Sequence, residues 1–77
     1  MNLSTLGRMV RRQRRKHGLR QVEVAALADV GTRFVSELEN GKHTLEIGRV
    51  LRVAAIVGLA VRIEPKSWTD FLSVDDR

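Results

Sequence analysis

Residues 18–42 have the sequence GLRQVEVAALADVGTRFVSELENGK, and this stretch decides the fold. Apolar residues at helical spacing predict one helix over Gln21–Ala28 and another over Thr32–Glu39. Asp29-Val30-Gly31 interrupts the pattern between them, and Asn40-Gly41 is a strong turn signal after the second of these helices. Two short helices joined by a tight turn predict a helix-turn-helix.

Helical patterns also flank this stretch on both sides. Apolar residues that recur every three or four positions predict an amphipathic helix over residues 3–17. The same spacing predicts a fourth helix over residues 45–57, with Thr44 as its N-cap. Gly18 and Gly58 follow these two helices as C-terminal stops.

The apolar period changes to two after Gly58. Leu59, Val61 and Ile63 alternate with smaller or charged residues, which predicts a β-strand over residues 59–64. A single strand leaves its backbone donors and acceptors unpaired, so we expect it to pair with the same strand of a second copy about a two-fold axis. A fifth helix or an extended tail is the alternative.

The predicted architecture is therefore all-α with one added strand. A helix-turn-helix domain of five helices or fewer covers residues 1–58, a dimerising strand covers 59–64 and a tail covers 65–77. In this tail, apolar side chains fall on one side of a short helical turn. They either fold back over the dimer or dock in a pocket on a partner, because exposed aromatic residues are typical interface anchors. These residues are Trp68, Phe71 and Leu72.

The charge of the chain is uneven. The net charge is +5, yet residues 1–20 hold seven basic residues and no acid, whereas the other 57 residues hold seven basic and nine acidic residues, a net of −2. A localised basic patch is typical of proteins that bind phosphate or an anionic surface, although many such runs are only solvated helix faces.

Several classes of function are disfavoured. The chain has no cysteine, no Gly-rich phosphate loop and two well-separated histidines, so we expect no enzyme, no metal site and no cofactor. The N-terminus has no apolar signal region, and the longest nearly uncharged stretch, residues 53–61, is far below the ~20 residues that span a bilayer. We therefore expect no membrane partner and a cytoplasmic location.

The motif resembles the Xre family of phage-repressor-like DNA-binding domains. The matching residues are Gly18-Leu19, Gln21, Val24-Ala25, Val30, Val35-Ser36 and the run Leu38-Glu39-Asn40-Gly41-Lys42. The resemblance covers residues 5–58 and implies a λ-repressor-like fold that binds double-stranded DNA in a bacterial cell. In that arrangement the second helix of the motif enters the major groove.

The resemblance also implies roles for individual residues. Gln21 would bind a backbone phosphate and brace the recognition helix. Thr32, Arg33 and Glu37 would read bases, and Ser36 would lie between bases and a phosphate. The chemistry of these residues fits the roles, because arginine recognises guanine and glutamate accepts from cytosine N4. The alternative for Glu37 is that it contacts no base and is idle or pairs with an arginine. Further phosphate contacts are expected from Asn40, Gly41, Lys42 and Arg11, with Arg12, Arg15 and Lys16 as less defined candidates.

One arginine is implied to be structural. Arg14 matches a family position that pairs with the equivalent of Glu39, a charge that needs such a partner. The chain departs from the family at three positions. Arg20 replaces the usual cap of the second helix, Asp29 replaces a glycine of the turn, and Phe34 is large for a position that either contacts a thymine methyl or turns to the core.

The run GKHTLEIGRVLRV over residues 41–53 resembles the compact HipB-type antitoxins. Such proteins dimerise through an intersubunit two-stranded sheet, repress their own operon and bind a HipA-type serine/threonine kinase toxin, which a Trp-containing C-terminal extension reaches. The alternatives are a stand-alone Xre regulator, or an interaction module that inhibits a partner without binding DNA.

For Asn40-Gly41 the alternative is a simple helix C-cap, and this role is compatible with a phosphate contact.

Overall fold

A computed structural model describes residues 2–65 of the chain. Within them the fold consists of four helices, and the prediction of a helical domain is confirmed. Two of the helices have the predicted bounds, and the first ends one residue early. The helices are α1 (Leu3–Lys16), α2 (Gln21–Ala28), α3 (Thr32–Glu39) and α4 (Ile47–Ile56). The predicted docking residues Trp68, Phe71 and Leu72 lie outside the described residues.

The core is small and built largely from β-branched side chains. The largest fully buried side chains come from all four helices and from the C-cap of α4. α3 packs against both α1 and α2, and α2 packs against α4, so α3 is held on two sides while its outer face is left open. The buried residues are Val10, Val24, Val35, Leu38, Val53 and Val57.

Gly7 allows α1 and α3 to cross at backbone contact. A Cβ atom at this position would collide with the carbonyl oxygen of Leu38 and lie 2.7 Å from that of Glu39. No side chain larger than hydrogen fits without a shift of α3. The sequence analysis did not single out Gly7, because a glycine inside a helical pattern carries no local sign of what it faces.

The predicted start of α4 is wrong. Thr44 and Leu45 lie in the loop, and the N-cap is Glu46, whose carboxylate accepts hydrogen bonds from the amides of Gly48 at 3.0 Å and Arg49 at 2.9 Å. The bond from Arg49, with that from Gly48, holds the pKa of Glu46 below its usual value. A carboxylate next to the positive end of a helix is a good cap, and it satisfies two otherwise unpaired amides.

The ends of all four helices use the same turn. A residue with positive φ follows or ends each helix, and the amide of the next residue donates to the carbonyl oxygen of the residue five positions before it. The apolar residue that comes next packs on the core after α1, α2 and α4. The residues with positive φ are Gly18, Asp29, Gly41 and Gly58.

The predicted strand is absent from the single chain. Leu59 packs against the core, but residues 59–65 form no helix or strand. Val61 is 49% exposed and Ile63 is 94% exposed. A strand at this position needs a second strand for its backbone groups, and the described residues of one chain offer none.

Candidate nucleic-acid interface

The outer face of α3 is the most accessible part of the motif. Thr32 and Arg33 lie in its first turn and are exposed, and the side chain of Arg33 is 90% exposed. Ser36 and Glu37 lie one turn later and are half-buried. These are the residues for which base reading is predicted, and they occupy the surface that packing against α1 and α2 leaves open.

The turn before α3 is held by a residue from α4. Asp29 has the left-handed conformation, with φ of 56° and ψ of 50°, at the position where the resemblance implies a glycine. Arg52 donates from Nε to the carbonyl oxygen of Ala28 at 2.9 Å and from Nη2 to that of Asp29 at 3.2 Å. Arg52 therefore pairs carbonyl groups that the end of α2 leaves free, a role that the sequence analysis missed.

The other two departures from the family, at Phe34 and Arg20, are accommodated by contacts within the fold. Phe34 is half-buried and packs against the core, which rules out an exposed position beside the groove in the free chain. At Arg20, α2 begins without a side-chain cap, and the carboxylate of Glu23 accepts the amide of Arg20 at 2.7 Å. That bond lowers the pKa of Glu23.

A buried carboxylate joins three helices behind the exposed face. Glu39 Oε2 accepts from Arg14 Nε at 2.6 Å, and Oε1 accepts from Arg14 Nη2 at 3.0 Å, Gln21 Nε2 at 3.0 Å and Arg11 Nε at 3.2 Å. Burial by itself raises the pKa of Glu39, but the hydrogen bonds from Arg14, Gln21 and Arg11 outweigh burial and leave the pKa below its usual value. The ion pair between Arg14 and Glu39 that the resemblance implies is therefore formed.

Two of the predicted phosphate contacts, Gln21 and Arg11, are bound to this carboxylate. Arg11 also donates from Nη2 to Asn40 Oδ1 at 3.3 Å. Gln21 uses one N–H of its amide and Arg11 uses Nε and Nη2, so each has further N–H groups with which to meet a phosphate. Glu39 thus fixes the positions of both side chains at the edge of α3, which fits the bracing of the recognition helix that the resemblance implies for Gln21.

The loop after α3 presents different groups at its surface from those that the sequence predicts. Three successive amides donate to carbonyl oxygens of α3, so they close the helix end and do not point outward for a phosphate. The donors that this loop leaves available for the predicted phosphate contacts are therefore side chains, namely the ammonium of Lys42 and the amide of Asn40. The bonds are Asn40 to Ser36 at 3.1 Å, Gly41 to Leu38 at 3.0 Å and Lys42 to Glu37 at 3.1 Å.

Glu37 lies between two of the predicted DNA contacts. Its Oε2 is 3.2 Å from Arg33 Nε and 3.3 Å from Lys42 Nζ. The hydrogen bond from Lys42, with a further one from Arg33, lowers the pKa of Glu37. In the free chain Glu37 therefore pairs with an arginine, which is the alternative that the sequence left open. It also pairs with Lys42, which was not predicted.

The first helix presents a stripe of arginines beside this loop. Positions 4, 8, 11 and 15 share one side of α1 by their spacing. Ser4 lies under Gly41, where a Cβ would come within 3.0 Å of the Ser4 Cα, and Arg11 reaches Asn40. Arg8 and Arg15 are exposed on the same side, so the basic surface continues from the loop along α1.

Among residues 2–65, no cluster of three or more His, Asp or Glu side chains is arranged to hold a metal ion. No helix in the same part of the chain is both long and apolar enough to cross a membrane.

Comparison with known proteins identifies the motif. The family model described as a helix-turn-helix domain matches residues 5–64. The chain is 45% identical over 58 residues to a protein of Sinorhizobium fredii, the "Uncharacterized HTH-type transcriptional regulator y4mF", and the alignment covers 75% of this chain and 76% of that protein. The family match begins within α1, contains α2 to α4 and includes the exposed face of α3 with its supporting carboxylate. The chain therefore belongs to the Xre-like helix-turn-helix family of DNA-binding proteins.

Proposed function

We propose that the protein is a transcriptional regulator that binds a specific double-stranded operator with α3 in the major groove. The observation that carries this proposal is the shared surface of Arg33, Lys42, Arg11 and Gln21. Two carboxylates, Glu37 and Glu39, hold these four side chains at α3 and its following loop. Cationic and amide donors on both sides of an open helix face fit a groove that is lined by phosphates.

Within this surface the roles divide by position. Thr32, Arg33, Glu37 and Ser36 occupy the open face of α3 and are assigned to bases. The assignment to phosphate covers the side chains at the edge, which carry no sequence information. The edge residues are Gln21, Asn40, Lys42 and Arg11; Gly41 contributes close approach of the backbone and not a donated hydrogen bond.

The finer biological role that we propose is that of an autoregulatory antitoxin that represses its operon and binds a HipA-type kinase toxin. The run over residues 41–53 and the aromatic residue Trp68 in the C-terminal tail support it by resemblance. The name of the Sinorhizobium relative supports transcriptional regulation in general. A kinase-like reading frame beside the gene favours the antitoxin, and its absence favours a stand-alone regulator.

We further propose a homodimer in which residues 59–64 of two copies pair as antiparallel strands. Val61 and Ile63 support it, because they are exposed apolar side chains at a spacing of two. A second copy would cover them and supply the missing backbone partners. Such a dimer would bind a palindromic operator with half-sites about one helical turn apart or a multiple of it.

Binding of the wild type to duplex DNA from the promoter of its own operon tests the function. Affinity should fall steeply with salt because phosphate contacts release counterions. Arg33→Ala should weaken operator binding by roughly 1–3 kcal/mol and relax base preference, whereas Lys42→Ala should weaken binding to the random duplex as well as to the operator. Equal losses for both variants on both duplexes would contradict the division of roles. A wild type without any salt-sensitive complex would leave only the interaction module.

A further inference from the structure

Glu37 has a position that base reading alone does not explain. One of its oxygens is within 3.3 Å of both Arg33 Nε and Lys42 Nζ, and the side chain of Glu37 is only 27% exposed. Among residues 2–65, neither Arg33 nor Lys42 forms an ion pair with any other carboxylate. A single carboxylate therefore occupies the cation assigned to a base and the cation assigned to a phosphate.

The backbone places the three side chains within reach of one another. Arg33 and Glu37 are four residues apart on one face of α3. The turn at Gly41 brings Lys42 back so that its amide donates to the carbonyl oxygen of Glu37 at 3.1 Å. Lys42 is thus tied to residue 37 by its main chain before its ammonium reaches the carboxylate.

Given the proposed function, on which this inference rests, we propose that Glu37 weakens binding to DNA that lacks the operator. Glu37 holds Arg33 and Lys42 in ion pairs, and DNA without the operator does not replace these pairs. Non-operator DNA does not place a matching base pair at Arg33, so it leaves the two cations with phosphates and the Glu37 carboxylate facing a negative surface without a donor. A guanine beside a cytosine amino group satisfies Arg33 and Glu37 together and frees Lys42 for phosphate. Glu37 thus acts by a repulsive element as well as an attractive one.

The decisive measurement uses Glu37→Gln and a duplex of random sequence, so it does not require the operator. The substitution keeps the shape of the side chain and removes its charge. We expect binding to the random duplex to become roughly threefold to tenfold tighter and the salt slope to steepen by about 0.9, the value for one additional phosphate neutralised. Unchanged or weaker binding to the random duplex overturns the proposal. That result is expected if Glu37 acts only in base reading.

Asp76→Asn is the matched control. It makes the same change in net charge, and Asp76 belongs neither to the helix-turn-helix nor to the segment 59–64 that is proposed for the dimer. We expect little change for this variant. An equal gain in the control would show that net charge alone is responsible and would overturn the proposal.

A double-mutant cycle tests the mechanism. Lys42→Ala should weaken binding to the random duplex more in the Glu37→Gln background than in the wild type, because the ammonium is then free for phosphate. Equal losses in both backgrounds overturn the proposal. If the wild type itself forms no salt-sensitive complex with any duplex, the proposed function fails and this inference falls with it, whereas wild-type binding with no effect of Glu37→Gln refutes the inference alone.

Discussion

At Glu39, four hydrogen bonds from three side chains converge on one carboxylate that is buried between helices. Removal of one partner from a buried ion pair commonly costs about 3–5 kcal/mol, because the other charge stays buried and unpaired. Arg14 is the partner with two of these bonds and also donates to the carbonyl oxygen of Leu19 at 2.9 Å. The same carboxylate positions Gln21 and Arg11, so the stability of the fold and the proposed phosphate contacts depend on one residue.

The lowered pKa of Glu39 predicts a loss of stability in acid. The group has its ordinary pKa of about 4.3 in the unfolded chain and a lower one in the folded chain, so it stabilises the fold above about pH 4.3. This contribution should be lost as the pH falls through the folded pKa. The free energy of unfolding in urea, measured from neutral pH down to acid, checks the prediction.

Glu39→Gln is the control for this titration. In that variant the decline of stability in acid should be shallower, with the remainder due to groups such as Glu23 and Glu46, whose pKa values are also lowered. NMR titration of the Glu39 carboxyl carbon in the wild type gives the folded pKa directly. A value at or above the ordinary one would contradict the assignment.

At the scale of elements, the helix ends explain why the motif has its shape. After three of the helices an apolar residue packs back on the core, which sets the direction of the next segment. After α3 the corresponding residue is Lys42, a charged side chain at the surface of the proposed interface. The same turn that closes α3 thus presents a cation to DNA. The three apolar residues are Leu19, Val30 and Leu59.

Asp29→Gly should stabilise the protein. Asp29 is the one non-glycine residue with positive φ among residues 2–65, and this conformation is unfavourable for a residue with a Cβ atom. We expect a gain of roughly 0.5–1 kcal/mol, since relief of this strain exceeds the added entropy of glycine in the unfolded chain. Thermal or urea unfolding of the variant measures it.

Asp29→Ala is the informative comparison, because alanine tolerates the left-handed region less well than aspartate. It should lower stability, while the bonds of Arg52 to the carbonyl oxygens of Ala28 and Asp29 remain possible in both variants. A gain with alanine as large as that with glycine would show that strain at this turn is not the cause.

At the scale of the whole molecule, the basic excess and the apolar residues proposed for the dimer lie in different segments. The arginine stripe of α1 borders the proposed DNA surface, whereas Val61 and Ile63 follow α4. A chain of 77 residues buries a small core, so association with a second copy would add stability as well as a second recognition helix.

Val61→Pro should reduce dimerisation and operator affinity together. Proline removes a backbone donor and cannot take part in a paired ladder, whereas the residue lies outside the helical core of the single chain. Sedimentation equilibrium measures the oligomeric state, and DNA titration measures the affinity. Val61→Thr, which keeps β-branching and the donor, is the control; a fully dimeric and active proline variant would refute the strand interface.

Local sequence determined much of this protein. The bounds of α2 and α3 and the turn between them followed from apolar spacing and from Asp29, Asn40 and Gly41, because helix periodicity and left-handed turns depend on neighbouring residues. The start of α4 was misplaced because two adjacent caps competed, and the carboxylate of Glu46 accepts two amides where Thr44 accepts none.

Only the tertiary structure decided how the interface is held. Glu39 meets Gln21, Arg14 and Arg11 across 18, 25 and 28 residues of chain, and Phe34 turns to a core that no local pattern defines. The contact of Glu37 with Lys42 depends on the turn at Gly41. The residue types and spacing of the motif therefore predicted that the chain binds DNA, whereas the partners of each charge depended on packing, because ion pairs form between residues that folding brings together.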